Sequence, residues 1–211
     1  MVALTPRGPQ MTVSRAFPVD PEALPFAARI AVDMPIGLSD TGERGCEALA
    51  RRILSPRGSC VFPVPARGVL AFDDLAAARR WSVARTGKSI PAQSWNILPK
   101  IRELDGLISP AHQMQVRESH PELGFTRLNN GVPLPPKKSA QGRVARLALL
   151  AGAGLPGVAQ LMDALPRKWV AADDVIDAAM LALTAQAMAA GTARGLGGRM
   201  DGTGKRMEIW Y

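Results

Sequence analysis

The stretch that most constrains the fold is Ala28-Arg29-Ile30-Ala31-Val32-Asp33-Met34-Pro35-Ile36-Gly37-Leu38. A short apolar run ends abruptly in an acid, followed by a proline and a glycine. That pattern reads as a buried parallel strand stopping at a loop. Open α/β sheets collect ligands and chemistry at the carboxyl ends of their strands. A carboxylate placed there, Asp33, calls for partners from other strand ends or helix starts. Two later stretches offer them: Val116-Arg117-Glu118-Ser119-His120-Pro121-Glu122 and Asp173-Asp174-Val175-Ile176-Asp177-Ala178.

Around this strand the signals are mixed. Met1 to Leu4 and Met11 to Phe17 read as strands flanking a turn at residues 5–10. Asp40 with Glu43 forms a capping-box pattern for a helix whose apolar stripe is Leu49, Ala50, Ile53 and Leu54, with Arg44, Arg51 and Arg52 mostly off it. Asp73 or Asp74 opens a second helix through Val83. Pro91 suits the first turn of a third, which Pro99 should kink or split. Gln113 to Arg117 is a short strand ending at Glu118, and Asn129-Asn130-Gly131 is a turn. Ser139 caps a helix through Leu150, residues 155–165 form a short helix, and Trp169 to Ala172 leads into a long one from Asp173 to about Ala190. The glycine-rich tail from Gly191 to Gly204 reads as a loop, with Met207-Glu208-Ile209-Trp210-Tyr211 docking on the body. The order predicts one mixed α/β domain with a helical insertion around residues 40–110.

At 211 residues and 47% apolar content the chain can bury a sizeable core as a single domain. A net charge of +8 and a pI near 10.3 suit a polyanionic partner, chiefly nucleic acid. With 5% aromatics, base-stacking platforms are not evident. No apolar run reaches the ~18 residues of a membrane span, and no secretory signal opens the chain, so no membrane partner is expected. Cys46 and Cys60 lack metal-ligand spacing, which leaves a reduced cytoplasmic setting as the default.

The chemistry candidates are acids. Asp174 and Asp177 lie one turn apart on the same face of a helix that is otherwise apolar, through Val175, Ile176, Ala179, Met180, Leu181, Leu183 and Ala187. Two carboxylates there repel each other unless a cation or donors stand between them. The ordinary alternative is that Asp173 or Asp174 simply caps the helix. Strand alternation puts Glu118 and His120 on one side, and a strand lying parallel beside that of Asp33 brings both acids to the same rim. For His120 a structural role is the simpler reading. Asp33, Glu118, Asp174 and Asp177 together supply hard oxygen ligands, suited to Mg²⁺ or Mn²⁺ rather than Zn²⁺. Two such ions clamp the attacking and leaving oxygens of a phosphodiester. Lys137, Lys138, Arg143 and Arg146 are placed to hold phosphates or to form a solvated basic face. Other chemistries lack their motifs: there is no Walker loop, Gly152-Ala153-Gly154 misses the third glycine of a dinucleotide fingerprint, and Ser119-His120 has no nucleophile elbow.

Several of these residues carry a resemblance. They are Asp33-Met34-Pro35-Ile36-Gly37-Leu38, Cys46 to Arg51, Val61-Phe62, Gln93 with Trp95, Lys100 to Asp105, His120-Pro121-Glu122 with Phe125, Lys137-Lys138 with Gly142 and Arg146, Asp173 to Ala178, and Met207 to Trp210. In this combination the chain resembles the bacterial and archaeal domain-of-unknown-function family regarded as RNase H-like nucleases, and its Asp174/Asp177 helix is similar to the final acidic helix of RuvC-type resolvases. The resemblance implies an RNase H-like mixed sheet flanked by helices and metal-dependent cleavage of nucleic acid. It makes Asp33, Asp174 and Asp177 metal-binding acids, fits Glu118 less closely, and adds Lys100 to the substrate-binding set. Met1-Val2-Ala3-Leu4 aligns with the family's second strand, so the first strand and its acid are missing and the natural chain is expected to extend upstream. Two further functions fit less well: a non-catalytic nucleic-acid-binding relative, and a phosphotransferase on the related actin-like fold.

Overall fold

The computed structural model describes residues 2–5, 8–14, 16–26, 28–165 and 170–211. Its centre is a parallel pair. Strand β3 (Ile30–Val32) lies beside β4 (Val116–Glu118), with Ile30 opposite Val116 and Val32 opposite Glu118. Ahead of them, β1 (Val2–Thr5) and β2 (Gly8–Met11) form a separate antiparallel hairpin. The predicted turn there includes Pro6 and Arg7, which lie outside the described residues, as does Trp169. At the far end, β5 (Gly195–Met200) and β6 (Arg206–Trp210) make another antiparallel pair. That hairpin joins β4 through one parallel bridge from Ser119 to Trp210, where Ser119 Oγ donates to the Trp210 carbonyl at 2.7 Å.

Between β3 and β4 run α1 (Gly45–Ile53), α2 (Leu75–Thr86), α3 (Ala92–Asn96) and α4 (Leu98–Leu107). After β4 come α5 (Pro121–Leu128), α6 (Ala140–Gly152), α7 (Val158–Ala164) and α8 (Ala172–Ala189). Among the described residues the fold is thus a mixed α/β arrangement of eight α-helices and small sheets, and none of these helices is long and apolar enough to cross a membrane. Helix α8 is the organising element: it packs against β1, β3, α5, α6 and α7. Its Val175, Ile176, Ala179 and Met180 join Phe125, Leu150, Leu155 and Val158 in one buried cluster. A second cluster joins Cys46 and Ala50 of α1 and its C-cap Leu54 to Leu123 of α5 and to Met207 and Ile209 of β6.

Local chemistry explains most boundaries. Asp74 caps α2 by accepting from the Ala77 N–H at 2.6 Å, and Gly87 closes it in the left-handed conformation. Pro91 precedes α3, and Pro99 sits in the first turn of α4, so the proline splits the predicted helix instead of bending it. Several expectations need correction. The second strand lies at Gly8–Met11, mostly within the stretch read as a turn, and the described residues of 12–17 are not strand. Helix α1 starts at Gly45, not after Asp40, because Gly42 has φ +80° and breaks the first turn a capping box would need. Helix α5 follows β4 directly: the extended chain ends at Ser119, and Pro121 begins a helix with His120 as its N-cap. The glycine-rich tail is not loop throughout: Gly195–Met200 within it is strand β5. A Cβ at Gly197 (φ +90°) would stand 2.7 Å from the Met207 carbonyl oxygen and 2.8 Å from Cys46 Cβ. Glycine there lets the hairpin close onto α1, next to a register shift between Gly197 and Arg199.

Candidate carboxylate site

Asp33 is the first residue after β3, and its side chain is open to solvent. Across from it stands the start of α8. The N-cap of α8 is Ala171, with no side-chain cap, so neither Asp173 nor Asp174 does the capping that helix-start acids usually do. Asp174 is exposed and Asp177 is buried one turn deeper. Protein walls surround the Asp33 carboxyl even though water reaches it. Desolvation therefore lifts its pKa to about 6, with Lys137 opposing the rise and Asp174 and Glu122 adding to it. Asp177 rises to about 6 for the same leading reason, again against Lys137 and with help from Asp33 and Glu122.

Lys137 comes from a different element, the segment before α6. Its Nζ donates to Asp177 Oδ2 at 2.7 Å and lies 3.5 Å from Asp173 Oδ2. Burial works against its ammonium, but Asp177, Asp173 and Asp33 outweigh that and hold its pKa above the ordinary lysine value. The segment is clamped from behind. Arg146, fully buried on α6, donates to the Pro135 carbonyl at 2.9 Å and grips Glu122 of α5 with one guanidinium nitrogen at 2.6 and 2.7 Å from the two carboxylate oxygens. Ser139 both caps α6, accepting from the Gly142 N–H at 3.0 Å, and donates through Oγ to the Pro136 carbonyl at 2.7 Å.

Glu118 is not part of this group. Val32 and Glu118 are register partners, so Glu118 projects on the face of Val32, and the next residue, Asp33, projects on the other. Glu118 instead turns inward. It accepts from the Ile36 N–H at 2.8 Å and from Arg44 at 2.5 Å, and burial lifts its pKa to about 7 despite Arg44. Arg44 also lies 3.7 Å from Glu47. Arg44 therefore belongs to the interior, contrary to the surface position its place off the apolar stripe suggests. Arg146 is likewise unavailable to a phosphate, since it is fully buried and Glu122 and backbone carbonyls take its two terminal nitrogens. Lys138, Arg143 and Lys100 are exposed.

Among the described residues no three His, Cys, Asp or Glu side chains converge closely enough to hold a metal ion. The cation that stands among the acids is Lys137. Two residues near the site were not singled out as members from sequence. Glu122 joins the electrostatics of both Asp33 and Asp177. His120 accepts the Glu122 N–H at Nδ1, and burial lowers its pKa, which favours the neutral ring. Pro121 followed by an acid was the available signal for both, as a helix start.

A family model described as protein of unknown function (DUF429) matches residues 16–201. The chain belongs to that family. No curated protein and no solved structure matched the chain.

In this DUF429 chain Gly142 marks the tightest contact behind the site. A Cβ there would stand 2.1 Å from the Pro136 carbonyl oxygen and 2.8 Å from that of Pro135. Glycine-to-alanine changes inside helices ordinarily stabilise by about 1 kcal/mol. Gly142→Ala is expected to do the reverse, lowering stability by about 1–3 kcal/mol as the overpacked segment shifts. Urea denaturation checks this, and a stabilised variant would refute it.

Proposed function

We propose that this protein hydrolyses nucleic-acid phosphodiesters at the cluster of Asp33, Asp174 and Asp177, on a sheet of RNase H-like type. The observation that carries the reading is the placement of Asp33 at the carboxyl end of a parallel strand, within electrostatic reach of the α8 acids. A carboxylate with a pKa about 6 is ionised at neutral pH yet basic enough to take a proton. Asp33 accepts a proton from water as the water oxygen bonds to phosphorus. The ester P–O bond breaks, and the departing oxygen takes a proton from solvent. The net charge of +8 favours a polyanionic substrate. Two free cysteines fit a reducing, cytoplasmic setting. Mg²⁺ or Mn²⁺ is the ion whose ligand chemistry these acids match, although as arranged they do not converge on one.

The test is cleavage of a panel of DNA and RNA substrates with Mg²⁺, with Mn²⁺ and with a chelator. The rate is expected to rise with pH through about 6, as Asp33 loses its proton. Asp33→Asn and Asp174→Asn should each lower it by about 10²–10⁴-fold. Cleavage that survives both substitutions refutes the assignment. The spacing of the acids favours a second reading, a non-catalytic nucleic-acid-binding protein of the same fold. It predicts salt-dependent binding with no cleavage under any of these conditions.

A further inference from the structure

The Asp33 carboxyl takes part in no hydrogen bond among the described residues, so it takes its position from its backbone. That backbone is held on both sides. Before Asp33, the Val32 carbonyl accepts the Ser119 N–H at 2.8 Å. After it, two carboxylates from distant parts of the chain take the loop's donors. Glu118 Oε2 accepts the Ile36 N–H at 2.8 Å, and Asp201 Oδ2 accepts the Leu38 N–H at 2.8 Å. Gly37 lies between these two amides with φ +79°, and a Cβ there would stand 2.9 Å from the Arg206 carbonyl oxygen. The loop is thus pressed against the β5–β6 turn at a residue that glycine alone suits. An arginine fixes each carboxylate in turn. Arg44 holds Glu118 at 2.5 Å, and Arg67 holds Asp201 at 2.6 Å while reaching Asp105 at 2.8 Å. Burial opposes the charge of Asp201, but the Leu38 N–H, Thr203 and Arg67 outweigh it and hold its pKa at about 2. Both loop amides therefore meet charged-group bonds, which are stronger than neutral ones.

We propose that Glu118 and Asp201 are positioning residues for Asp33: by holding the Ile36–Leu38 loop they fix the direction in which the Asp33 carboxyl leaves its strand. The inference rests on the reading of Asp33 as the reacting base and adds to it the parts that aim that base. Glu118, on the opposite face of the strand pair, acts on the site through the backbone and not as a member of the cluster. The β5–β6 turn acts in the same way from the far end of the chain. A reacting group displaced by about 1 Å loses about 10²-fold in rate, so a clamp on its backbone is felt in the chemistry.

The test uses the full chain with Asp201→Ala, because Arg67 keeps Asp105 when Asp201 is removed, whereas removing Glu118 leaves buried Arg44 with Glu47 at 3.7 Å. Hydrogen exchange at the Leu38 amide is expected to quicken by about tenfold, with the amides of α8 unchanged. The carboxyl carbon resonance of Asp33 should move at the same time. Gly37→Ala touches neither carboxylate but pushes the loop off the Arg206 carbonyl, and it should move the same resonance. On a nucleic acid that the wild type cleaves, Asp201→Ala should lower kcat by about 10–10²-fold at unchanged KM. An Asp33 resonance unmoved in both variants overturns the inference. So does exchange that quickens throughout the chain, which would make Asp201 a stability residue only, or an unchanged kcat. A wild type that cleaves nothing sinks the hydrolase reading alone, and the Asp33 resonance then decides whether the clamp aims that carboxyl.

Discussion

Arg146→Met is expected to cost about 3–5 kcal/mol of folding free energy, seen as a large fall in the urea midpoint. Arg146 has none of its surface exposed, and its guanidinium lies 5.3 Å from the centre of the Phe125 ring. It neutralises Glu122, bonds the Pro135 carbonyl at 2.9 Å and also bonds the Gly142 carbonyl of its own helix at 2.8 Å. Methionine keeps the volume but leaves Glu122 as an uncompensated charge near Asp33 and Asp177, which are already hard to ionise. Removing one member of a buried pair is costly for this reason, whereas replacing both is often nearly neutral. The double variant Arg146→Met with Glu122→Leu should therefore recover most of the loss. A single variant that loses less than about 1 kcal/mol would show the pair to be dispensable.

Arg44→Met is expected to destabilise by a similar amount, about 3–5 kcal/mol at neutral pH, with a distinctive pH dependence. Arg44 is the shared counter-ion of Glu118 and Glu47, and both carboxyls are held above their usual pKa by burial, Glu118 at about 7. Without Arg44 their folded pKa values climb further above the unfolded value. A carboxyl raised in this way keeps its full contribution below the unfolded pKa and loses it as pH rises through the folded one. The deficit of the variant should accordingly shrink toward pH 5 and grow toward pH 8. Melting curves across that range check it. A deficit that does not change with pH would show that Arg44 acts through packing and not through the two acids.

The parts of this fold that were legible in the sequence are those whose signals are local. Asp74 with Gly87, Pro91 with Pro99, and Ser139 each fix an element end with chemistry contained in a few neighbouring residues. The apolar helix after Asp173 is legible for the same reason. What was not legible depends on partners far along the chain. Arg44 and Arg146 look like surface arginines until Glu118, 74 positions away, and Glu122, 24 positions away, are seen beside them. Glu118 shows how little it takes to misplace an acid: its register places it on the face opposite Asp33, and one residue of offset is the whole difference. The tail misleads because glycine usually marks loops, whereas at Gly197 it marks a strand pressed against a helix. At the site, Asp33 and the α8 acids could be proposed from pattern alone. The ammonium between them could not, because nothing local ties Lys137 to α8.

The β5–β6 hairpin has a consequence for how the protein is made. Met207 and Ile209 complete the apolar cluster around Cys46, Ala50 and Leu54, and β6 is the strand that meets β4 at Ser119. A chain emerging from the ribosome exposes α1 long before residues 206–210 exist to cover it. During that interval the apolar side of α1 is open to chaperones or to other nascent chains. Closure of this part of the core therefore awaits residues translated far downstream of α1, even where the intervening helices have already formed.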